Sequence, residues 1–206
     1  MKNKNRRPFG KVLLKRVLVL CEGESERIYV KGFCSEENQR RRLSSVEVEV
    51  YQPTNYSPYG LLQEARKKAK EAIKDGLLYD SVWIVFDKDN HANIKKTFSE
   101  ARDTSIKIAF SAICFETWIL LHFEQTAKPF LKCDKLVDYI KRKGYINYQK
   151  TNYYTALTDE NKKNAFINAS WLRIQNGVDI DAGKSLNLLD SYTDFDKLIL
   201  YLRYLQ

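Results

Sequence analysis

The chain has 206 residues, a length that suits one domain or a core with a modest appendage, and its 44% apolar and 30% charged residues describe a folded globular protein rather than a disordered one. Its formal charge of +9 is concentrated in places: Lys2, Lys4, Arg6, Arg7, Lys11, Lys15 and Arg16 occur without an acid among them, and Arg40, Arg41 and Arg42 form a second cluster. Such a surplus favours polyanionic partners, because displacing counterions from phosphates supplies sequence-independent affinity, although a solvated surface explains charge alone equally well. The apolar runs are too short to span a bilayer, and Val17–Cys21 is too short for a signal peptide, so the expected location is the cytoplasm. Cys21, Cys34, Cys114 and Cys133 show no C-x-x-C spacing; reduced, mostly buried thiols are expected, with neither zinc nor a disulfide framework.

In chain order, Arg16–Cys21 is a short continuous apolar run, the pattern of a strand covered on both faces. Glu22-Gly23-Glu24-Ser25-Glu26 then turns into a helical pattern carried by Ile28, Tyr29 and Phe33. Val46–Tyr51 alternates Val and Glu and predicts an edge-like strand. Ser57-Pro58 supplies a cap and a first-turn proline for a helix reaching Asp75-Gly76. Ser81–Phe86 is the clearest buried strand and ends in the polar loop Asp87-Lys88-Asp89-Asn90-His91, ahead of a helix near Ile94–Arg102. Ile106–Phe110 predicts a fourth strand and Phe115–Phe123 an apolar helix.

Beyond about residue 130 the strand signal fades. Helices are predicted over Asp134–Lys143, stopped by Gly144, over Thr158–Gln175, stopped by Gly177, and over Thr193–Leu205, with Thr193 and Asp196 as a capping pair. Tyr145–Tyr154, rich in Tyr, Asn and Lys, gives little guidance. The alternation of strands and helices predicts an α/β fold, a mostly parallel sheet flanked by helices. The expected organisation is a basic arm over 1–15, a core over 16–130 and a helical C-terminal extension over 131–206 packed on it.

Ligands of open parallel sheets sit beyond the carboxyl ends of the strands. Two of the most apolar strands here run into acids there: the first into Glu22, the third into Asp87 and Asp89. Carboxylates gathered at one edge repel one another, and a shared proton or a divalent cation resolves the repulsion. Hard oxygen ligands suit Mg²⁺ or Mn²⁺, ions that meet phosphate oxygens directly. Against this stand plain readings: Glu22 as a helix-start acid and Asp87-x-Asp89 as an ordinary polar loop. Glu116 is a charge in the otherwise apolar segment Ala112–Phe123, which is costly unless it is paired or bound to metal. Glu26, about one turn after Glu22, His91 and His122 are secondary candidates, with a hydrogen-bonded histidine the simpler reading of His122.

Three segments carry a resemblance: Val17-Leu-Val-Leu-Cys-Glu-Gly-Glu-Ser-Glu26, Trp83-Ile-Val-Phe-Asp-Lys-Asp-Asn-His91 and Cys114-Phe-Glu-Thr-Trp-Ile-Leu-Leu-His-Phe123. Together they resemble the RloB family, relatives of AbiL component ii, and through strand-Glu-Gly and strand-Asp-x-Asp the Toprim fold of topoisomerases, bacterial primases and OLD-type nucleases. Where the family carries Asn-Pro-Ser-Thr before its last helix, this chain has Asp190-Ser-Tyr-Thr193. The resemblance implies a Toprim-type protein of phage defence or abortive infection, encoded beside restriction systems or an AAA/ABC-class ATPase. It also implies Glu22 as acid/base or metal-holding glutamate, Asp87 and Asp89 as the metal pair, and Glu116 as a further acid.

A dinucleotide fold would need more glycine than the single Gly23 set among glutamates, and no P-loop is present. The 13 tyrosines come with no second large domain of the kind a topoisomerase requires. The expected activity is therefore Mg²⁺- or Mn²⁺-dependent hydrolysis of a phosphodiester in RNA, tRNA included, or DNA. Arg6, Arg7, Lys11, Arg40, Arg41 and Arg42 are expected to hold the flanking backbone. A non-catalytic sensor or adaptor of a defence ATPase and a primase-like nucleotidyl transferase stay open as alternatives, as does an oligomeric state.

Overall fold

The computed structural model describes residues 15–40, 46–51, 53–89, 91–177, 179 and 185–205. Five strands form one sheet in the order β2-β1-β3-β4-β5. They are β1 (Lys15–Cys21), β2 (Val46–Tyr51), β3 (Ser81–Asp87), β4 (Ile106–Ala112) and β5 (Tyr192–Thr193). The first four are mutually parallel, and β5 pairs antiparallel with β4 through Ser111–Thr193 and Ala112–Tyr192. This mostly parallel sheet flanked by helices is consistent with a Rossmannoid, Toprim-like core.

The connections between parallel strands are α1 (Glu24–Gln39), α2 (Pro58–Lys74) and α3 (Ile94–Arg102). The sequence sets their limits locally. Ser57 Oγ accepts from the Gly60 N–H at 3.1 Å and Pro58 opens α2, while Thr158 and Asn161 form a reciprocal capping box at the start of α6 (Asp159–Gln175). Gly144, at φ +66°, ends α5 (Cys133–Lys143) in the left-handed conformation that glycine adopts without a Cβ clash.

Period-two alternation divides the strands between two cores. Val17, Val19, Cys21, Trp83 and Val85 face one layer, made by α1, α4 (Glu116–Leu120), α5, α6 and α7 (Phe195–Arg203). Leu18, Leu20, Val82, Ile84, Phe86 and Phe110 face the other, against Leu61, Leu62 and Ala65 of α2 and Ile94 and Ala101 of α3. Strands buried on both sides read as continuous apolar runs, which is why β1 and β3 were so legible.

The C-terminal region departs from the expectation in detail. It is not purely helical: Tyr192–Thr193 adds an edge strand to the sheet, too short to leave a periodic signal. The last helix starts at Phe195, not at Thr193, and Asp196 does not cap it. Asp196 is buried and takes both Arg173 guanidinium nitrogens, at 2.6 and 2.8 Å. The preceding Asp194 accepts from the Phe110 N–H at 2.7 Å, which fastens the helix start to β4. The apolar helix predicted over Phe115–Phe123 is shorter, Glu116–Leu120, followed by a turn.

Trp118 and Leu172, Phe195, Leu198 and Leu202 of the C-terminal helices share one buried cluster with the β1 side chains. Among the described residues no helix is long and apolar enough to cross a membrane.

Candidate metal centre

The strand order turns around at the centre of the sheet: from β1 the chain goes outward to β2 on one side and then to β3 on the other. Between β1 and β3 the crossovers diverge, and ligands of such sheets bind beyond the carboxyl ends of the strands at this point. Both strands terminate there in an acid. The register that sets Cys21 opposite Val85 brings Glu22 beside Asp87. The Glu22 N–H donates to the Val85 carbonyl at 2.9 Å, and the Asp87 N–H donates to Glu22 Oε2 at 3.2 Å. Glu22 Oε1 lies 2.6 Å from His91 Nε2, so backbone and imidazole hold both carboxylate oxygens.

Around this pair the other acids collect. Glu26, one turn into α1, is buried, and its carboxylate folds back over Gly23, where a Cβ would meet Glu26 Oε2. A side chain at position 23 would push the Glu26 carboxylate from this place. Glu116 opens α4 and is buried; its Oε1 accepts from the Tyr148 hydroxyl at 2.7 Å and lies 4.0 Å from Lys150 Nζ.

The electrostatics record the crowding. Burial pushes the Asp87 carboxyl well above the usual carboxylate range, and the charges of Glu26, Asp89, Glu22 and Glu116 push it further. Glu22 rises to about 7, mainly through burial, with the Asp87 N–H working against the shift and Asp89 adding to it. Glu26 rises to about 8 through burial, with Glu116 and Glu22 contributing and Lys150 opposing. Asp87 Oδ1 is buried and has no hydrogen-bond partner among the described residues.

Acids from three separate segments, Glu22 with Glu26, Asp87 with the exposed Asp89, and Glu116, thus act on one another at one sheet edge. A buried oxygen without a donor, among desolvated carboxylates, has the donor chemistry of a hard divalent cation site. Their hard carboxylate oxygens have the chemistry of a Mg²⁺ or Mn²⁺ site, while among the described residues it is Cys114, Glu116 and Cys133, not Glu22, Asp87 and Asp89, that bring three ligand-type atoms within 4.8 Å of one another.

Other sequence candidates lie elsewhere. His122 is fully buried in the core, where its Nδ1–H donates to the Trp118 carbonyl at 2.9 Å and its Nε2 accepts from the Tyr29 hydroxyl at 3.0 Å. Burial lowers its imidazole to about 3. The folded state therefore keeps it neutral, while the unfolded chain takes up a proton near pH 6.5. Its contribution to stability is complete above pH 6.5 and is lost as the pH falls from there towards 3, at about 1.4 kcal/mol per pH unit. In urea melts between pH 7 and 5, wild type is expected to lose stability more steeply than His122→Gln by that amount. Parallel slopes for the two proteins would show that the imidazole is not buried in its neutral form.

Arg40 sits past the far end of α1, about 24 Å along the helix axis from its first residue. It pairs there with Asp159 at 3.2 Å and Glu37 at 3.5 Å. Arg6, Arg7, Lys11, Arg41 and Arg42 lie outside the described residues.

The cysteine expectation is corrected. Cys21 and Cys34 are free and buried, but Cys114 and Cys133 form a disulfide with Cα atoms 5.7 Å apart. Their separation of 19 residues is unlike any metal or redox motif, and only the return of α5 to the end of β4 brings them together. The Cys133 sulfur lies 3.2 Å from Glu116 Oε2. Cys114, Glu116 and Cys133 place ligand-type atoms within 4.8 Å of one another, but as a disulfide neither sulfur offers a thiolate. Closing a loop of this length restricts the unfolded chain enough to contribute about 3 kcal/mol. Denaturant melts with and without a phosphine reductant are expected to differ by that amount; coincident melts would mean that the bond adds nothing.

Tyr148, Lys150 and the disulfide were missed as neighbours of the site. Tyr148 and Lys150 sit in a polar, tyrosine-rich stretch without periodicity, so no local signal marks them.

A family model described as RloB-like protein matches residues 17–202. No curated protein matches the chain, and no solved structure does.

Proposed function

The chain belongs to the RloB-like family, and on that premise we propose that it is a divalent-metal-dependent nuclease hydrolysing phosphodiesters in RNA or DNA. The observation that carries the reading is the buried, partnerless Asp87 Oδ1 inside a convergence of acids at the switch point of the sheet. A structural acid cluster would be expected to satisfy its buried oxygens with donors from the protein; this one leaves Asp87 Oδ1 without a donor among the described residues, which supports a cation there.

Asp87 and Asp89 would hold Mg²⁺ or Mn²⁺, with Glu22 beside them. When bound, the ion supplies Lewis-acid stabilisation of the phosphate charge and a more acidic water. Glu22, fixed by His91 and the Asp87 N–H, would present its carboxylate to the ion or to a water beside it. Glu116, braced by Tyr148, supplies further negative charge, and Lys150 faces it from the rim.

The same proposal takes in a cytoplasmic role in phage defence alongside an AAA/ABC-class ATPase, as the resemblance of the three sequence segments implies. The test is incubation of the purified full chain with tRNA, single-stranded DNA and duplex DNA, in Mg²⁺ or Mn²⁺ and in EDTA. Cleavage products confined to the metal arms are expected. Cleavage that survives EDTA removes the mechanism, extension of an oligonucleotide with NTPs replaces it with nucleotidyl transfer, and metal binding without turnover makes the chain an adaptor.

A further inference from the structure

We propose that the groove leading from Asp89 along α5 is a binding track for single-stranded nucleic acid. It consists of two clefts that meet at Phe130. The first, about 480 Å³, is lined by Lys88, Leu131 and Lys132 among the acids Asp89, Asp134 and Asp190, and opens beside the acid cluster. The second, about 610 Å³, is lined by Lys128, Lys135, Lys141 and Arg142, with Asp138 as the acid among them. Lys135, Tyr139 and Arg142 follow one another at helical spacing, so α5 turns two cations and an aromatic ring towards this cleft, with Asp138 beside them.

Charge and apolar surface are arranged along the track in a definite order. Lys132, Lys135, Lys141 and Arg142 are exposed and have no acid partner among the described residues. Lys128 lies over the Tyr139 ring, 4.3 Å from its centroid, and Phe130 packs edge-on against the same ring. Leu131 is 96% exposed, an apolar side chain offered to solvent between lysines. Cations spaced along a groove with apolar surface between them suit a phosphate backbone with unstacked bases. A duplex keeps its base faces covered and has no use for Phe130 or Leu131. The end at Asp89 is acidic, so a phosphate enters it only with a cation present, while the far end attracts phosphates unaided.

The track rests on the nuclease reading for what happens at the Asp89 end, but not for binding itself. Affinity is measured by fluorescence anisotropy with the full-length Asp87→Asn protein and labelled single-stranded RNA, single-stranded DNA and a duplex of the same sequence, over a salt series. Single strands are expected to bind more tightly than the duplex. Lys135→Ala with Arg142→Ala should flatten the log–log salt slope by about 1.4, the share of two phosphate contacts on a single strand. Leu131→Ala added to that pair should bring the loss of affinity to at least tenfold, with Lys95→Ala on α3 as an unaffected control and thermal melts confirming folding. Unchanged affinity in the groove variants, preference for the duplex, or tighter binding of polyglutamate each overturns the track. Metal-dependent cleavage by wild type that the groove variants leave intact refutes the track and spares the nuclease. Binding lost in those variants, beside a wild type that cleaves nothing, refutes the nuclease and spares the track.

Discussion

Asp87→Asn is expected to lower metal-dependent cleavage by roughly a thousandfold or more, about 4 kcal/mol of transition-state stabilisation, without destabilising the metal-free protein. The two halves of this expectation share a cause. Asp87 ends β3 beside Glu22, and its carboxyl is desolvated and surrounded by like charge. An amide has nearly the same shape and no charge, so the substitution relieves repulsion in the empty site. The metal-free variant should melt at the wild-type temperature or a few degrees above it, since 1 kcal/mol is worth roughly 2–4 °C in a chain of this size. Mg²⁺ should raise the wild-type midpoint, with a gain of about 2.7 kcal/mol when the ion is a hundredfold above its dissociation constant, and leave the variant where it was. The pairing matters because a loss of activity accompanied by a lower midpoint would describe a damaged fold. Melting curves in EDTA and in Mg²⁺, run beside the cleavage assay, separate the two. If the variant gains as much from Mg²⁺ as wild type does, Asp87 is not where the ion sits.

The parts of this site that were legible in the sequence are those in which local pattern and function coincide. β1 and β3 are buried on both faces, so each reads as an apolar run, and a run that stops at a charge marks its own carboxyl end. Glu22 and Asp87 could be read from that alone. Glu116 stood out because a carboxylate in an apolar segment demands a partner. What that partner was, the sequence did not say: Tyr148 lies 32 residues later and Cys133 lies 17, and nothing local ties either to Glu116. β5 was missed for a related reason. Two residues have no periodicity, and Tyr192–Thr193 joins the sheet because Asp194 and the Ser111–Thr193 hydroxyl contact at 2.8 Å fix it there. Asp196 was assigned to a helix cap from its spacing to Thr193, whereas an arginine on a different helix uses it instead. Spacing rules see neighbours along the chain, and every one of these misses is a contact across it.

That last contact leads to the second large effect. Asp196→Ala is expected to cost about 3–5 kcal/mol, because it leaves Arg173 half-buried against β5 without its counter-charge. In a chain of this length that is a fall of roughly 10 °C in the melting midpoint. The transition should remain single when followed by far-UV dichroism and by tryptophan fluorescence, since Trp118 and Trp83 share one core with Leu172 of α6 and Phe195, Leu198 and Leu202 of α7. If residues 131–206 were an appendage resting on a self-sufficient core, the variant would melt in two steps and the acid cluster would survive the first. Arg173→Met combined with Asp196→Leu removes both charges and supplies apolar volume, so it should recover most of the loss, as paired replacement of a buried ion pair often does. The site has the same dependence on the C-terminal region. Glu116 is braced by Tyr148, and Tyr153 donates to the Ser25 carbonyl at 2.6 Å in the first turn of α1, just ahead of Glu26. Release of the C-terminal helices in Asp196→Ala should therefore abolish Mg²⁺-induced stabilisation at the temperature where the fold is lost, and metal protection that outlasts the helices would show that the core holds its acids alone.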